Sequence, residues 1–484
     1  MSGFLRLSVD EVVRACEGVW LNSEAFFSGD EISVTGVSTD SRTTKPGDLF
    51  IPFSGKNVDG HNYIRSAARQ GAVCALTERG TEQADVPLIW VDSTKQALQR
   101  LAVYYRGLLG TAVTVVAVTG SVGKTTTKDM IASVLSQRFK IRKTHGNMNN
   151  DIGMPMTIMG IEQGDETVVL EMGMNHAGEI RGLSRIAKPD ICVFTNIGDA
   201  HIENFGSRDN ILKAKIEMLE HIKPGGTIIF NGSDRLLSNA LLPLNDRYTV
   251  ICCGESTYGV SGTVNAASIS KRGLYGVDCS ITFAFGSRYQ WSFQTQISVP
   301  GEHMVMNALI AAAVGATFGM HPEAINEGIR RFVPYGSRMD IIRANGITVI
   351  NDVYNANPTS MRAAVDVLTD SSVMEINIVD GRTVCILGDM LELGEFAESL
   401  HKSLGAYIAQ KHVDLLICVG SLARCIYDGY KDNSEQPTNG KLLYFSTSEA
   451  LIVSLQSIIQ PNDHVLVKAS RSMAFEHIVK ALTA

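Results

Sequence analysis

The sequence predicts an α/β protein of three domains, and three observations carry that reading. At 484 residues the chain is too long for one hydrophobic core, because single cores stop growing at roughly 250–300 residues. From residue 111 buried apolar runs alternate with helical patterns, the mark of a parallel sheet covered by helices on both faces. A second series of the same kind starts at residue 341. The boundaries read from these changes are a small α/β domain over 1–92, a central domain with a parallel sheet over 93–334, and a Rossmann-like domain over 335–484.

In chain order, short β-like segments at 32–37, 48–53 and 88–91 surround a helical stretch at 63–70. Residues 101–109 read as an amphipathic helix ending at Gly110. The runs VTVVAVTG, ETVVLEMG, DICVFTNIG and GTIIFNG supply central strands, and TTKDMIASVLSQRF supplies the helix after the first. Residues 262–300 read differently, as a meander of short polar and aromatic strands, closed by Pro300 and Gly301 and followed by a helix over 304–318. The central domain ends near Pro334. In the last domain strands are expected at 347–351, 383–387, 415–419 and 464–467, and the polar segment 430–441, with Pro437 and Gly440, reads as a surface loop.

Composition excludes several classes of function. A chain that is 45% hydrophobic and 19% charged is globular and soluble. A formal charge of -7 and a pI near 5.9 provide no basic field for nucleic acid. Arg6, Asp10, Glu11 and Arg14 interrupt the N-terminus where a signal peptide needs an apolar stretch, so a cytoplasmic location is expected. The apolar runs at 114–118 and 415–419 are far shorter than the roughly 20 residues that cross a bilayer. Nine cysteines without metal-type spacing read as reduced, mostly buried thiols.

The strongest local pattern is VTVVAVTGSVGKTTTKDM, an apolar strand that runs into Gly120, Ser121, Val122, Gly123, Lys124, Thr125 and Thr126 and then into a helix. Glycines let the backbone approach an anion, amides at the helix start point at phosphate oxygens, Lys124 adds a charge and the Thr125 hydroxyl can ligate Mg²⁺. Triphosphate binding is therefore expected. The loop is a shortened one, since Val118 stands where the longer pattern has its first glycine. Two more strands end in polar residues at the same expected sheet edge, at Glu171 and His201, a plausible Mg²⁺ or Mn²⁺ pair. The residues alone leave His201 open as a structural histidine and Lys215 as a solvated helix-surface lysine.

Further polar groups punctuate the chain. PGEHMVMNALIAAAVG sets His303 and Asn307 on one helical face. SRMD carries Arg338, and NDVYNANP carries Asp352, Tyr354, Asn355 and Asn357. HGNMNNDIGMP carries Asn147, Asn149 and Asn150, and the polar stretch 37–64 carries Ser41, Arg42 and His61.

Taken together these motifs resemble the Mur ligase family. TGSVGKTTTK is similar to the shortened loop of those enzymes and of folylpolyglutamate synthases. YNANP, ILGDMLELG and KASRSMAFE resemble the branch of the family that adds D-alanyl-D-alanine, and the DNPR signature of the sibling that adds the third amino acid is not found. The resemblance implies an ATP-dependent ligase that activates the carboxylate of UDP-N-acetylmuramoyl-tripeptide as an acyl-phosphate and joins it to D-alanyl-D-alanine. It implies that Lys124 acts on the phosphates and that Thr125, Glu171 and His201 hold Mg²⁺. It further implies that Lys215, 14 positions after His201, is carbamylated and joins that metal set. By the same resemblance Asn307 contacts adenine, Arg338 and Asp352 hold phosphate and ribose, and Tyr354, Asn355 and Asn357 shape the dipeptide pocket. Ser41, Arg42 and His61 would seat the UDP group, and Asn147, Asn149 and Asn150 the muramoyl-peptide end. Small-molecule partners and a monomer are expected. Ser337 and Asn351 depart from the family's usual glycine and aspartate. Two alternatives remain at this point: a sibling ligase with another acceptor, and a nucleotide-gated switch that forms no amide bond.

Overall fold

In the computed structural model, which describes residues 6–21, 32–55, 57–80, 84–254, 262–285, 289–374, 381–434 and 441–484, three large sheets follow one another along the chain. The first has the strand order Val19–Trp20, Leu88–Trp90, Cys74–Thr77, Asp48–Phe50, Gly36–Ser38, parallel except at its first strand. The 32–37 segment is two strands rather than one. Ser33–Val34 pairs with Leu7–Ser8, while Gly36–Ser38 joins the five-stranded sheet. The sequence reading missed Cys74–Thr77, too short and continuously buried to show a period, and the helix Val9–Cys16. That helix carries a reciprocal cap between Ser8 and Glu11.

The central sheet has nine strands in the order Tyr289–Ile297, Val277–Phe285, Gly262–Lys271, Thr249–Cys253, Thr227–Asn231, Ile191–Phe194, Thr114–Thr119, Thr167–Glu171, Ile141–Lys143. Its pairings are parallel up to Gly262–Lys271, and the last two strands add on antiparallel. The short strands expected in the meander at 262–300 are corrected here: they are strands of 10, 9 and 9 residues, and they prolong the central sheet. Buried and half-buried positions alternate along Val277–Phe285, because its inner face packs on the helix His303–Thr317 and the outer one does not.

The helix ending at Gly110 begins at Thr94, capped by Ser93, rather than at 101. It joins the first two units. Tyr104 donates from Oη to Glu11 Oε1 (2.9 Å) and its neighbour Tyr105 to the carbonyl of Ile161 in the central unit.

The third sheet runs Asp340–Ala344, Ile347–Asn351, His464–Lys468, Thr383–Gly388, Leu415–Val419, Leu442–Phe445, all parallel after the first hairpin. The four expected strands are present, and the edge strands Asp340–Ala344 and Leu442–Phe445 are additions. His464–Lys468, last in sequence, sits beside Ile347–Asn351 with Asn351 opposite Val467, which brings Asp352 and Lys468 together at one sheet edge. The loop expected at 430–441 is partly wrong. Residues 430–433 close the helix Ala423–Asn433, with Tyr430 buried, while Pro437 and Gly440 lie outside the described residues.

All nine cysteines are free and eight are buried. Among the described residues no helix is long and apolar enough to cross a membrane.

Candidate functional site

The glycine loop leaves the carboxyl end of Thr114–Thr119, a strand buried from Val115 onward, and enters the helix Lys124–Leu135. Its parallel neighbours are Thr167–Glu171 and Ile191–Phe194, so Glu171 and residues 195–201 emerge beside it. Residues 195–196 hold the loop's shape. Val122 N–H donates to Asn196 Oδ1 (2.9 Å), Ser121 N–H to the Asn196 carbonyl (3.0 Å), and Thr195 Oγ1 to the Val122 carbonyl (2.6 Å). Gly120 is required by this brace, since a Cβ there would lie 1.9 Å from Thr195 Oγ1. Gly123, at φ 82°, supplies the left-handed residue that starts the helix. Nothing in the motif DICVFTNIG marks Thr195 and Asn196; the pairing of their strand with the loop strand is what identifies them.

Two lysines converge on one carbonyl. Lys124 donates from Nζ to Gly120 O (2.9 Å) and Ser121 O (3.3 Å), and Lys215 donates to the same Gly120 O (3.0 Å). Lys215 is 2% exposed, which corrects the reading of it as a solvated surface lysine. Ile211, Ala214 and Lys215 form the buried stripe of the helix Arg208–Ile216, and that stripe faces under the loop. Burial first, and the charge of Lys124 second, push the Lys215 amine well below its ordinary pKa. Lys124 is lowered too, mainly by burial and further by Arg338, against the pull of Glu171.

A cavity of about 600 Å³ opens above the loop, between the central sheet edge and the third domain. Ser121, Val122, Gly123, Lys124, Thr125 and Thr126 line its floor; Asn147, Asn149, Asn150, Glu171, His201 and Asn307 line the central-domain walls. Arg338, Asp352, Tyr354, Asn355 and Asn357 line the opposite wall. Gly120 and Lys215 lie beneath.

Several of these side chains are already held by protein partners. Glu171 is 2% exposed; its Oε1 accepts from Asn149 Nδ2 (2.8 Å), and its Oε2 is buried with no hydrogen-bond partner. A Cβ at Gly173 would sit 3.0 Å from that Asn149 amide, so the glycine makes room for it. Asn150 Oδ1 accepts from the backbone of Ile152 (3.2 Å) and Gly153 (2.8 Å), which fixes the turn into the helix Gly153–Met159. Asn307 Oδ1 accepts from Thr127 Oγ1 (3.0 Å) on the loop helix. Arg338 donates from Nη2 to Thr125 Oγ1 (3.0 Å) and stacks 3.7 Å from the Tyr354 ring centroid. Asn357 Oδ1 accepts from Ser360 N–H (2.9 Å) at the start of the helix Pro358–Met374.

Lys468, also without an assigned role in the sequence reading, is 2% exposed and donates to Asp352 Oδ2 (2.6 Å) and the Asn355 carbonyl (2.8 Å). It therefore braces the turn that presents Asp352 and Tyr354. His201, at φ 62°, places Nδ1 2.7 Å from Oε2 of Glu392 on the third domain, a close contact that does not complete a hydrogen bond. The contact lowers the Glu392 carboxyl below its ordinary pKa.

The first-domain residues lie outside this cavity. Ser41 is buried, and the exposed Arg42 pairs with Asp40, which it holds down at about 2. His61 is 2% exposed with both ring nitrogens engaged, Nδ1 on Asp59 Oδ1 (2.7 Å) and Nε2 accepting from Glu78 N–H (3.1 Å). As it stands, His61 braces the 59–61 turn and offers no open ring nitrogen to a ligand.

Among the described residues no three His, Cys, Asp or Glu side chains converge as a ready metal cage. The unpartnered Glu171 Oε2 nevertheless suits a hard cation that takes few protein oxygens and completes its shell with water and phosphate.

Three family models match in chain order: the Mur ligase family catalytic domain over 33–106, the Mur ligase middle domain over 118–315, and the Mur ligase glutamate ligase domain over 337–471. The UDP-N-acetylmuramoyl-tripeptide--D-alanyl-D-alanine ligase of Bacillus subtilis is 36% identical, over 99% of this chain and 98% of its own. A crystal structure of MurF from Acinetobacter baumannii superposes with a TM-score of 0.86 at 30% identity, covering 99% of each chain. MurF from Thermotoga maritima in complex with ADP gives a TM-score of 0.75 at 27% identity over 92% of this chain and 96% of that one. With its loop, its three sheets and its whole length matched in this way, the chain belongs to the Mur ligase family.

Proposed function

We propose that this chain is an ATP-dependent ligase that joins UDP-N-acetylmuramoyl-tripeptide to D-alanyl-D-alanine through an acyl-phosphate, releasing ADP and phosphate. The observation that carries this reading is the placement of a phosphate loop and the unpartnered Glu171 oxygen in one cavity that the third domain closes with Arg338 and Asp352. A simple nucleotide switch has no use for a second, carboxylate-lined wall beside the phosphates.

In the first step a terminal carboxylate oxygen of the tripeptide attacks the γ-phosphorus of ATP, and ADP departs. The amine of D-alanyl-D-alanine then attacks the carbonyl carbon, and phosphate leaves with that carboxylate oxygen while the ammonium proton is lost. Lys124 and the loop amides stabilise charge on the transferring phosphoryl group, where positioning and electrostatics do most of the catalysis. Asn307 faces adenine, Asp352 the ribose and Arg338 the phosphates, the latter by exchanging its contact to Thr125 for phosphate oxygens. When bound, Mg²⁺ held by Thr125, Glu171 and His201 supplies charge neutralisation at the phosphate oxygens. The lowered pKa of Lys215 favours the neutral amine that reacts with CO₂, and a carbamate there adds an anionic oxygen to the same set.

Asn147, Asn149 and Asn150 face the muramoyl-peptide end, and Tyr354, Asn355 and Asn357 the dipeptide. Ser41 and Arg42 serve the UDP group, with His61 shaping the turn behind them. We assign the UDP-binding domain to 1–92, the ATP-binding domain to 93–334 and the closing domain to 335–484, and take the protein as a cytoplasmic monomer. ADP release measured with each substrate omitted in turn tests the reading. Release that requires UDP-N-acetylmuramoyl-tripeptide and D-alanyl-D-alanine together supports it, turnover with a single amino acid points to a sibling activity, and ADP formed without any acceptor contradicts it.

A further inference from the structure

Glu392 lies in a turn of the third domain, 389–394, that is fixed from behind. Met390 N–H donates to His401 Nε2 (2.9 Å), Leu391 N–H to Ser470 Oγ (2.9 Å), and Asp389 Oδ1 accepts from Ala423 N–H (2.7 Å). From this base the turn reaches the central domain. A Cβ at Gly394 would meet Glu203 at 2.9–3.3 Å, so backbone and helix Ile202–Phe205 are in close contact. At the head of that helix stands His201. Both His201 and Glu392 adopt φ 62°, a left-handed conformation that non-glycine residues keep only where the surroundings enforce it. The His201 Nδ1 atom is buried 2.7 Å from Glu392 Oε2, while 22% of the His201 side chain remains exposed, so the open edge of the ring is the one away from Glu392.

We propose that Glu392 is a positioning residue for His201: its carboxylate takes the Nδ1–H from across the domain boundary and leaves Nε2 as the ring's free lone pair on the cavity side. This rests on the reading of His201 as the metal-side histidine. A carboxylate behind a ligating imidazole fixes its tautomer and orientation, and its loss typically weakens metal binding 10- to 100-fold. Here the carboxylate comes from a different domain than the imidazole. The histidine is therefore set only when the third domain is docked, and closure over ATP and completion of the metal side become one event. The Nδ1 atom makes no completed hydrogen bond as it stands, and contacts of this kind tighten when substrates are bound.

The test uses the full chain labelled with ¹⁵N-histidine, as wild type, Glu392→Ala and Glu392→Gln, with His201→Gln to assign the ring resonances. Wild type is expected to hold the Nδ1–H tautomer at His201, Glu392→Ala to release it into a mixture, and Glu392→Gln to retain it in part through the amide oxygen. The apparent Mn²⁺ affinity, read by electron paramagnetic resonance with a non-hydrolysable ATP analogue, is expected to fall about ten-fold in Glu392→Ala. It is expected to fall no further when Glu392→Ala is added to His201→Ala. An unchanged tautomer in Glu392→Ala, or an equal loss of Mn²⁺ affinity in the His201→Ala background, overturns the proposal. A tautomer that shifts as expected while His201→Ala binds Mn²⁺ like wild type upholds the positioning and instead removes His201 from the metal set.

Discussion

A buried ammonium that donates only to one turn, as Lys468 does to the 352–355 turn, is costly to leave unpaired and costly to remove. Lys468→Met strands Asp352 without its partner and is expected to lower stability by about 3 kcal/mol, read by urea unfolding. It should also raise the KM for ATP; wild-type values for both would contradict the brace. Lys124→Met is expected to reduce kcat by roughly 10²- to 10³-fold with the fold intact, the usual loss when one preorganised charge-stabilising donor is removed. The low pKa of Lys215 leads to a chemical expectation. Protein equilibrated with ¹³C-bicarbonate should show a carbamate resonance that Lys215→Arg abolishes, and its absence from wild type would remove Lys215 from the metal set. Legibility at this scale followed chain distance. Lys124, Thr125 and Glu171 stand in strand-end patterns visible within twenty residues. Lys468 meets Asp352 across a separation of 116 residues, and nothing local marks a lysine as buried.

The loop works because strand, brace and helix are fixed in mutual register, and Gly120 is where they touch. Gly120→Ala should push Thr195 out of its contact with Val122 and cost on the order of 100-fold in kcat/KM, as misplacements near 1 Å do. An unchanged kcat/KM would mean that the loop adapts freely. The turn that carries Glu392 depends on neutral His401. Burial, partly offset by the Ala397 carbonyl and Asp389, lowers its pKa below 6.5, so the folded state binds fewer protons than the unfolded one. Its contribution is full above about pH 6.5 and is lost as pH falls through the folded value. The urea midpoint should therefore drop on acidification in wild type, with a shallower dependence in His401→Gln. Strand positions were readable where runs were apolar and bounded by glycine. The 262–300 meander was legible from its alternation, which reports one buried face without saying which sheet that face belongs to.

Across the whole molecule, three sheets in sequence order place the cavity at the seam between the second and third. Beside the close packing of Gly394 on Glu203 and of Gly301 near Val367, polar pairs cross that seam: Arg338 to Thr125, Glu392 to His201, and Lys271 to Asp370 (2.8 Å). Such a seam suits a domain that opens and shuts around ATP, since exposed pairs contribute little stability and are screened by salt. The α/β alternation made the three-part organisation legible. The seam was not, because the partners of each pair lie in different sheets and neither motif announces the other. Activation of the tripeptide carboxylate as an acyl-phosphate, a mixed anhydride with ATP's γ-phosphoryl group, is the step on which the proposed ligation depends. It is tested most directly by supplying UDP-N-acetylmuramoyl-tripeptide with ¹⁸O in its terminal carboxylate, together with ATP and D-alanyl-D-alanine, and analysing the released phosphate by mass spectrometry. One ¹⁸O atom per phosphate is the expected result; phosphate free of ¹⁸O, with amide product formed, would contradict it.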